Sequence, residues 1–341
     1  MNTLTEKQEQ SKPFTYWLKL TFVRLGVLPF LLVLAIAIFA VLSDNFLTGR
    51  NMMNVLRQSS FLMLVAMGQM FTLLTGGFDL SVGTIVAITS VVAATVMAGI
   101  YSIYPESVML AISIGILAGM AAGIAVGFIN GLGVSVFNVN PFMMTLGMSS
   151  VGFGIALYMT GGTPVYGLPV EFSDTFGFGQ LFGIPSPILV CFMTVVVLTL
   201  LANWTKTGRY FYAVGGNIKA AQLSGINTQK MLLLVYVISG AAAAVCGILL
   251  TARLDTGEAN IGSSFPLESI AACVIAGVSL RGGVGRIENV VLGALFIGLI
   301  TNGMNLARIE SYLQTVVIGL LLITAVIADQ IRLKVMANLQ D

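Results

Sequence analysis

Along this chain apolar residues come in long runs rather than in alternation, and polar residues gather in the short gaps between runs. A membrane-spanning helix needs about 20 mostly apolar residues. Measured against that length, the pattern predicts ten spans: Leu25–Leu42, Ser59–Thr75, Leu80–Ile100, Ser107–Ile129, Phe142–Thr160, Ser186–Asn203, Leu232–Ala252, Glu268–Leu280, Ile287–Asn305 and Tyr312–Asp329. The runs lack a two-residue period, so membrane strands do not fit them. Lipid satisfies no free backbone group, and each run is therefore expected to be helix. The predicted class is all-α, a polytopic membrane protein.

The gaps decide orientation. With both termini on the cytoplasmic side, Lys7, Lys12, Lys19, Arg24, Lys206, Arg209, Lys219, Lys230, Arg281, Arg286, Arg332 and Lys334 lie inside. Arg50, Arg57, Arg253 and Arg308 then lie outside, which accounts for all 16 basic residues. Cytoplasmic loops carry an excess of Lys and Arg, so this arrangement is the favoured one. Nine or eleven spans would move the C-terminal basic pair outside. The expected organisation is a cytoplasmic tail over 1–24, a transmembrane domain over 25–331 and a second tail over 332–341. The first apolar run is too long for a signal peptide and is expected to be retained.

The longest basic gap in the second half is Thr205 to Met231, inside the predicted cytoplasmic loop 204–231. It holds Lys206, Arg209, Lys219 and Lys230 with no acid. Within it Asn217 to Ser224 reads as a helix of about two turns, capped by Asn217 and ended by Gly225. Ala220, Ala221, Leu223 and Ile226 give it a small, apolar face. A helix this short is marginal alone, so such a face wants a groove in a soluble partner; the alternative is a plain solvated connector. The longest gap predicted outside, Gly161 to Pro185, carries Glu171 and Asp174 and no base. It either receives a soluble partner or covers the bundle.

Composition narrows the chemistry. The chain is 57% hydrophobic and 9% charged, against about 25% charged in soluble domains. Its scattered basic residues form no patch for nucleic acid. It has no His, which removes the commonest metal ligand and general base. Cys191, Cys246 and Cys273 fall in apolar runs and read as packing. No metal or catalytic site is expected. No phosphate-binding loop of the GxxxxGK[ST] type is present, and no acid sits near a span centre to relay protons. Uphill movement of a solute would need energy from another subunit.

Several polar residues inside the runs have two readings each. Asp79 and Ser81, in the motif GGFDLSVG, either cap the third span or stand at the inner mouth of a path. Gln69, Thr72 and Thr75 share a face of the second span, Asn302 and Asn305 one of the ninth, and Gln314 opens the tenth. They either tie helices together or line a hydrophilic path. Gly119, Gly123 and Gly127 run down one face and predict a close internal helix contact. A weak internal echo lays residues 78–85 on residues 280–287. Short, glycine-interrupted spans in matching halves mark the path in many transporters.

GGFDLSVG, NPFMMTLG from Asn140, GRYFYAVGGNIKAAQLSGI and ESIAACVIAGVSLRGGVGRI, in this order, resemble the permeases of bacterial ABC sugar importers. The likeness is to the ribose, xylose, arabinose, galactose and autoinducer-2 branch and runs from about Phe46 to Asp329. Phe78 stands where that family more often has Ile. The resemblance implies an inner-membrane assembly of two permeases, alike or different, two ATPase subunits and a periplasmic sugar-binding protein. ATP and magnesium would belong to the ATPase, and this chain would hold no cofactor. It implies that Gly215, Gly216, Asn217, Ala220, Ala221, Ser224 and Gly225, with Gly208 ahead of them, form the loop that contacts the ATPase. From the residues alone, a self-sufficient secondary transporter or facilitator stays open as the rival.

Overall fold

The structure, a computed structural model, describes residues 28–337. The predicted tail 1–24, with its four basic residues, and residues 338–341 lie outside the described residues. The chain forms helices α1 (Leu28–Leu42), α2 (Gly49–Leu74), α3 (Val82–Ile103), α4 (Val108–Ser135), α5 (Pro141–Thr160) and α6 (Val170–Phe172). A π-helical turn (Ser173–Gly177) and a hairpin of β1 (Gln180–Leu181) and β2 (Ile184–Pro185) follow. The remainder is α7 (Ser186–Trp204), α8 (Lys206–Gly216), α9 (Ile218–Leu223), α10 (Thr228–Leu254), α11 (Phe265–Ile275), α12 (Ile287–Leu306) and α13 (Ser311–Ala337). Among the described residues, α3, α4, α5, α7, α10 and α12 are long and apolar enough to cross a membrane.

Helix α2 is the axis of the bundle. Every residue from Ser59 to Leu74 is buried, as expected of a helix with neighbours on all sides. Helix α10 packs against α2, α3 and α4, and α12 covers another side of α2. Lipid is as apolar as Leu, so close backbone approach and dispersion hold such helices together rather than escape from water. The glycine stripe of α4 does this: a Cβ on Gly123 would lie 2.6 Å from the Ala244 Cβ, and one on Gly127 would overlap the Tyr236 carbonyl. The predicted internal contact is present, against α3 and α10. All three cysteines are buried and free.

Four predicted boundaries are corrected. The second span begins at Gly49, not Ser59, so Arg50 and Arg57 lie within a helix of 26 residues rather than in a loop. Thr48 caps it by accepting the Asn51 N–H at 3.3 Å, a local signal that hydropathy does not register. The run Glu268–Leu280 is helical only as α11, 11 residues long. That is about 16 Å, half the thickness of a hydrocarbon core. The gap 205–231 holds a second helix, α8, ahead of the predicted one, and α13 continues past Asp329 to Ala337.

Gly161 to Pro185 is a docked cover. Phe172 is fully buried in a satellite cluster with Ala94, Met97, Ala111, Ile248 and Ala252. Val165 exchanges two backbone hydrogen bonds of 2.9 Å with Gly257. From there, residues 255–264 run without regular helix alongside α3. Gly257 touches Ala94, and Gly262 reaches Val86 and the backbone of Gly83. Irregular backbone at this depth is tolerated only where protein surrounds it.

Candidate functional site at the broken spans

Residues 75–81 leave α2 and enter α3 without helical geometry, and five helices converge on them. Asp79 is fully buried. Its Oδ1 accepts from the Ser81 N–H at 3.0 Å and the Ser81 hydroxyl at 2.6 Å. Its Oδ2 accepts from the Ser239 hydroxyl of α10 at 2.8 Å. Asn130 of α4 donates to the Ser81 Oγ at 2.7 Å. The Gln69 amide of α2, oriented so that both its ends are satisfied, donates to the Asp79 carbonyl at 2.9 Å and accepts from its N–H at 3.2 Å. Thr145 of α5 accepts from the Leu80 N–H at 3.1 Å. The Tyr236 phenol donates to the Phe78 carbonyl at 3.2 Å.

Asp79 therefore takes its own neighbour's N–H in a short side-chain turn. Ser81, at the N-cap of α3, makes no side-chain cap bond. Ser239 lies 11 residues inside α10, about 16 Å along its axis, so this carboxylate stands deep in the bundle, contrary to the expectation that no acid lies near a span centre. An acid at such depth is costly, and three donors offset the cost.

The sequence-predicted polar residues fall into two separate groups. Gln69, Thr72, Asp79 and Ser81 belong to the first, all fully buried. Thr72 donates to the Gln69 carbonyl at 2.8 Å, and its own carbonyl accepts from Gly77 N–H at 2.9 Å. Asn302 belongs to the second: its amide and that of Asn51 exchange hydrogen bonds of 2.9 and 3.1 Å. Asn51 is 18 residues, about 27 Å, from Gln69 along α2. Gln314 donates to Asn305 at 2.7 Å and to the Ile309 carbonyl at 2.8 Å. Ser239, Tyr236, Asn130 and Thr145 were not singled out from the sequence. A lone hydroxyl or amide in an apolar run has no local pattern; only its partner on another helix identifies it.

The exit of α2 and the turn after α11, which lies in the second echoing segment, meet at one end of the bundle. The Gly283 N–H donates to the Leu74 carbonyl at 2.8 Å, joining the exit of α2 to the turn after α11. Helix α8 closes over this joint. A Cβ on Gly215 would overlap the Leu74 carbonyl and lie 2.6 Å from the Gly283 nitrogen. No larger residue fits there without moving both junctions. Tyr212 of α8 donates to the Gly285 carbonyl at 2.8 Å. Burial first, and then the Glu288 carboxylate, raise its phenol above the ordinary range, which keeps it a donor. Beside this contact lies a cavity of about 440 Å³ lined by Asn203, Tyr212, Arg286, Glu288 and Asn289.

Helix α9 hangs from this joint. The Asn217 Oδ1 accepts from the Ala220 N–H at 3.0 Å, and Gly225 ends the helix with φ +79°. Both predicted helix signals are present. The predicted contact face divides, however. Ala221 is buried at 4% exposure, and Gly208 packs on the end of α7 so closely that a Cβ would overlap the Ala202 carbonyl. These two and Gly215 face the chain's own helices. Gly216, Asn217, Ala220, Ser224 and Gly225 face out, with Ile218 at 42% and Leu223 at 91% exposure.

Residues 51–326 match the family described as branched-chain amino acid transport system / permease component. The chain is 39% identical to the ribose import permease protein RbsC of Bacillus subtilis over 305 residues, 89% of this chain and 92% of that one. It is 38% identical to the D-allose transport system permease protein AlsC of Escherichia coli K12, covering 94% of this chain and 95% of that one. With the L-arabinose transport system permease protein AraH of the same strain it shares 37% identity, over 91% of each chain. No solved structure matches the chain. The broken spans, the anchored α8–α9 segment and these likenesses together lead to one conclusion: the chain belongs to the branched-chain amino acid transport system / permease component family and is a membrane-embedded permease component of an ABC import system, not an enzyme.

Proposed function

We propose that this permease forms the inner-membrane pathway for a monosaccharide or similar polyol, delivered by a periplasmic binding protein and driven by a separate ATPase. ATP and magnesium belong to that ATPase. The proposed topology has about ten spans, both termini cytoplasmic, and α8 and α9 on the cytoplasmic side, in keeping with the Lys and Arg distribution. A second permease, the same chain or a sister, completes the path.

The observation that carries the reading is the mounting of α9. Six residues present Ile218, Ala220 and Leu223 outward, while the preceding Gly215 is locked against the joint of both broken spans. In this reading Leu223 fills a groove of the ATPase, and movement there passes through α8 to Leu74 and Gly283. Sugar as the cargo class rests on the ribose, allose and arabinose named for the relatives. The group around Asp79 is proposed to hold the unwound segment beside the path, with Asn302, Asn305 and Gln314 as a second support at the other end of α2.

Proteoliposomes test this. The chain reconstituted with its ATPase and loaded binding protein should take up sugar only with ATP. Uptake by the chain alone would overturn the proposal in favour of a facilitator.

A further inference from the structure

At the opposite end of the bundle from α9 lies a cavity of about 340 Å³ that contains no residue of the Asp79 group. This volume falls within the range of about 300–1,000 Å³ typical of small-molecule sites. Its walls come from α2, α10, α12 and the half-span α11, with Arg57, Ser59, Arg253, Glu268 and Thr301 among them. Three charged side chains around one opening in so apolar a chain call for a reason, because charges within membrane bundles mark pathways more often than packing.

Two polar atoms of this lining lack a partner. The Ser59 hydroxyl, on a residue 1% exposed, makes no hydrogen bond, and neither does the buried Arg253 Nη1. A buried polar group left unpaired costs about 1–3 kcal/mol, so these two offer their bonds to whatever fills the cavity, water or solute. Arg253 is also held in place: its guanidinium lies 4.3 Å from the ring centre of Phe178, on the segment that covers this end. The guanidinium is thus positioned before any solute arrives.

We propose that this cavity is the permease's own site for a neutral polyhydroxylated solute, entered from the binding-protein side, with Arg253, Ser59 and Glu268 as its recognising groups. The proposal rests on the import reading above and deepens it. A guanidinium presents paired donors that match two adjacent oxygens, and a carboxylate accepts from hydroxyls. A neutral sugar supplies both kinds of group at once. Arg57 and Arg253 would attract an anionic solute and Glu268 would repel it, so an acidic sugar is the comparison that tests the neutral class.

The test uses proteoliposomes containing the whole chain and its ATPase, with binding protein carrying D-ribose, D-allose or L-arabinose and, in a separate arm, D-gluconate. Arg253→Gln and Glu268→Gln are each expected to lower neutral-sugar uptake about tenfold or more, and excess binding protein should not restore it. Arg253→Lys keeps the charge but loses the fork and should fall between. Co-purification with the ATPase and an unchanged melting temperature establish that each variant is assembled. Full uptake by assembled glutamine variants would overturn the proposal, as would complete rescue by excess binding protein or a preference for gluconate. Failure of the unaltered chain to import any sugar would instead overturn the import reading on which the proposal stands.

Discussion

Around Asp79 the chain uses polar side chains to hold an unwound segment; around Gly215 it holds one by leaving side chains out. At the first place, Gln69, Ser81, Thr145, Tyr236 and Ser239 from several helices satisfy backbone and carboxylate, and Asn130 holds the Ser81 hydroxyl. At the second, Gly215 approaches the Leu74 carbonyl and the Gly283 nitrogen with nothing between. The difference follows from what each place does. Deep in the bundle no water can pair a free N–H or C=O, so irregular backbone must be bonded by side chains. At the bundle's end, the need is for two junctions and a helix to move as one body, and contact at backbone distance gives the least slack.

The sharpest way to break this comparison is Asp79→Ala. It deprives the Ser81 N–H, the Ser81 hydroxyl and the Ser239 hydroxyl of their acceptor. With each of the three buried losses worth about 1–3 kcal/mol, a total of about 3–9 kcal/mol is expected. Melting in detergent micelles should show it as the largest loss of any single change here. Asp79→Asn retains one acceptor oxygen and should lose less than half as much. Equal loss from Ala and Asn would mean that the charge itself, not the acceptor geometry, is what the segment needs.

Gly215→Ala comes next. The added methyl overlaps the Leu74 carbonyl, and overpacking of this kind costs about 1–3 kcal/mol. Unlike the Asp79 variants, it should separate two activities: ATP hydrolysis continues, but loaded binding protein no longer stimulates it. Parallel measurement of hydrolysis and uptake would show this. Tight coupling in the Gly215→Ala protein would mean that the joint yields without consequence.

The bundle was legible in the hydrophobic runs because a span's length is fixed by the bilayer and needs no knowledge of neighbours. The α9 caps were legible for a related reason: Asn217 and Gly225 act within their own turn. The half-length of α11 was not, since Gly277 ends the helix while apolar residues continue to Leu280; hydropathy reports burial, and irregular buried backbone is equally apolar. Nor could one sequence tell Ala220 from Ala221. The same residue type stands on both sides of a helix, and only the packing of α9 on its neighbours decides which one is covered. Ser239 and Asn130 were silent for the reverse reason, because their partner lies in another part of the chain. The motif GGFDLSVG did carry the centre of the network, since a carboxylate between glycines in an apolar chain has few other uses.

The smallest expected effect on stability is also the most telling about α9. Ala221→Glu buries a charge at 4% exposure and should loosen α9 from the bundle, so weakened ATPase association would report a damaged mount. Leu223→Glu changes a side chain 91% exposed, and surface changes of that kind stay within about 0.5 kcal/mol. The melting temperature should not move. If Leu223 fills a groove in the ATPase, its loss removes the burial of one large apolar side chain, about 1.5–3 kcal/mol, which is about 10- to 100-fold in affinity. Titration of ATPase against the Leu223→Glu permease in micelles measures this directly. Unchanged affinity would leave α9 exposed in the complex and shift the contact to the neighbouring cavity of Tyr212 and Arg286.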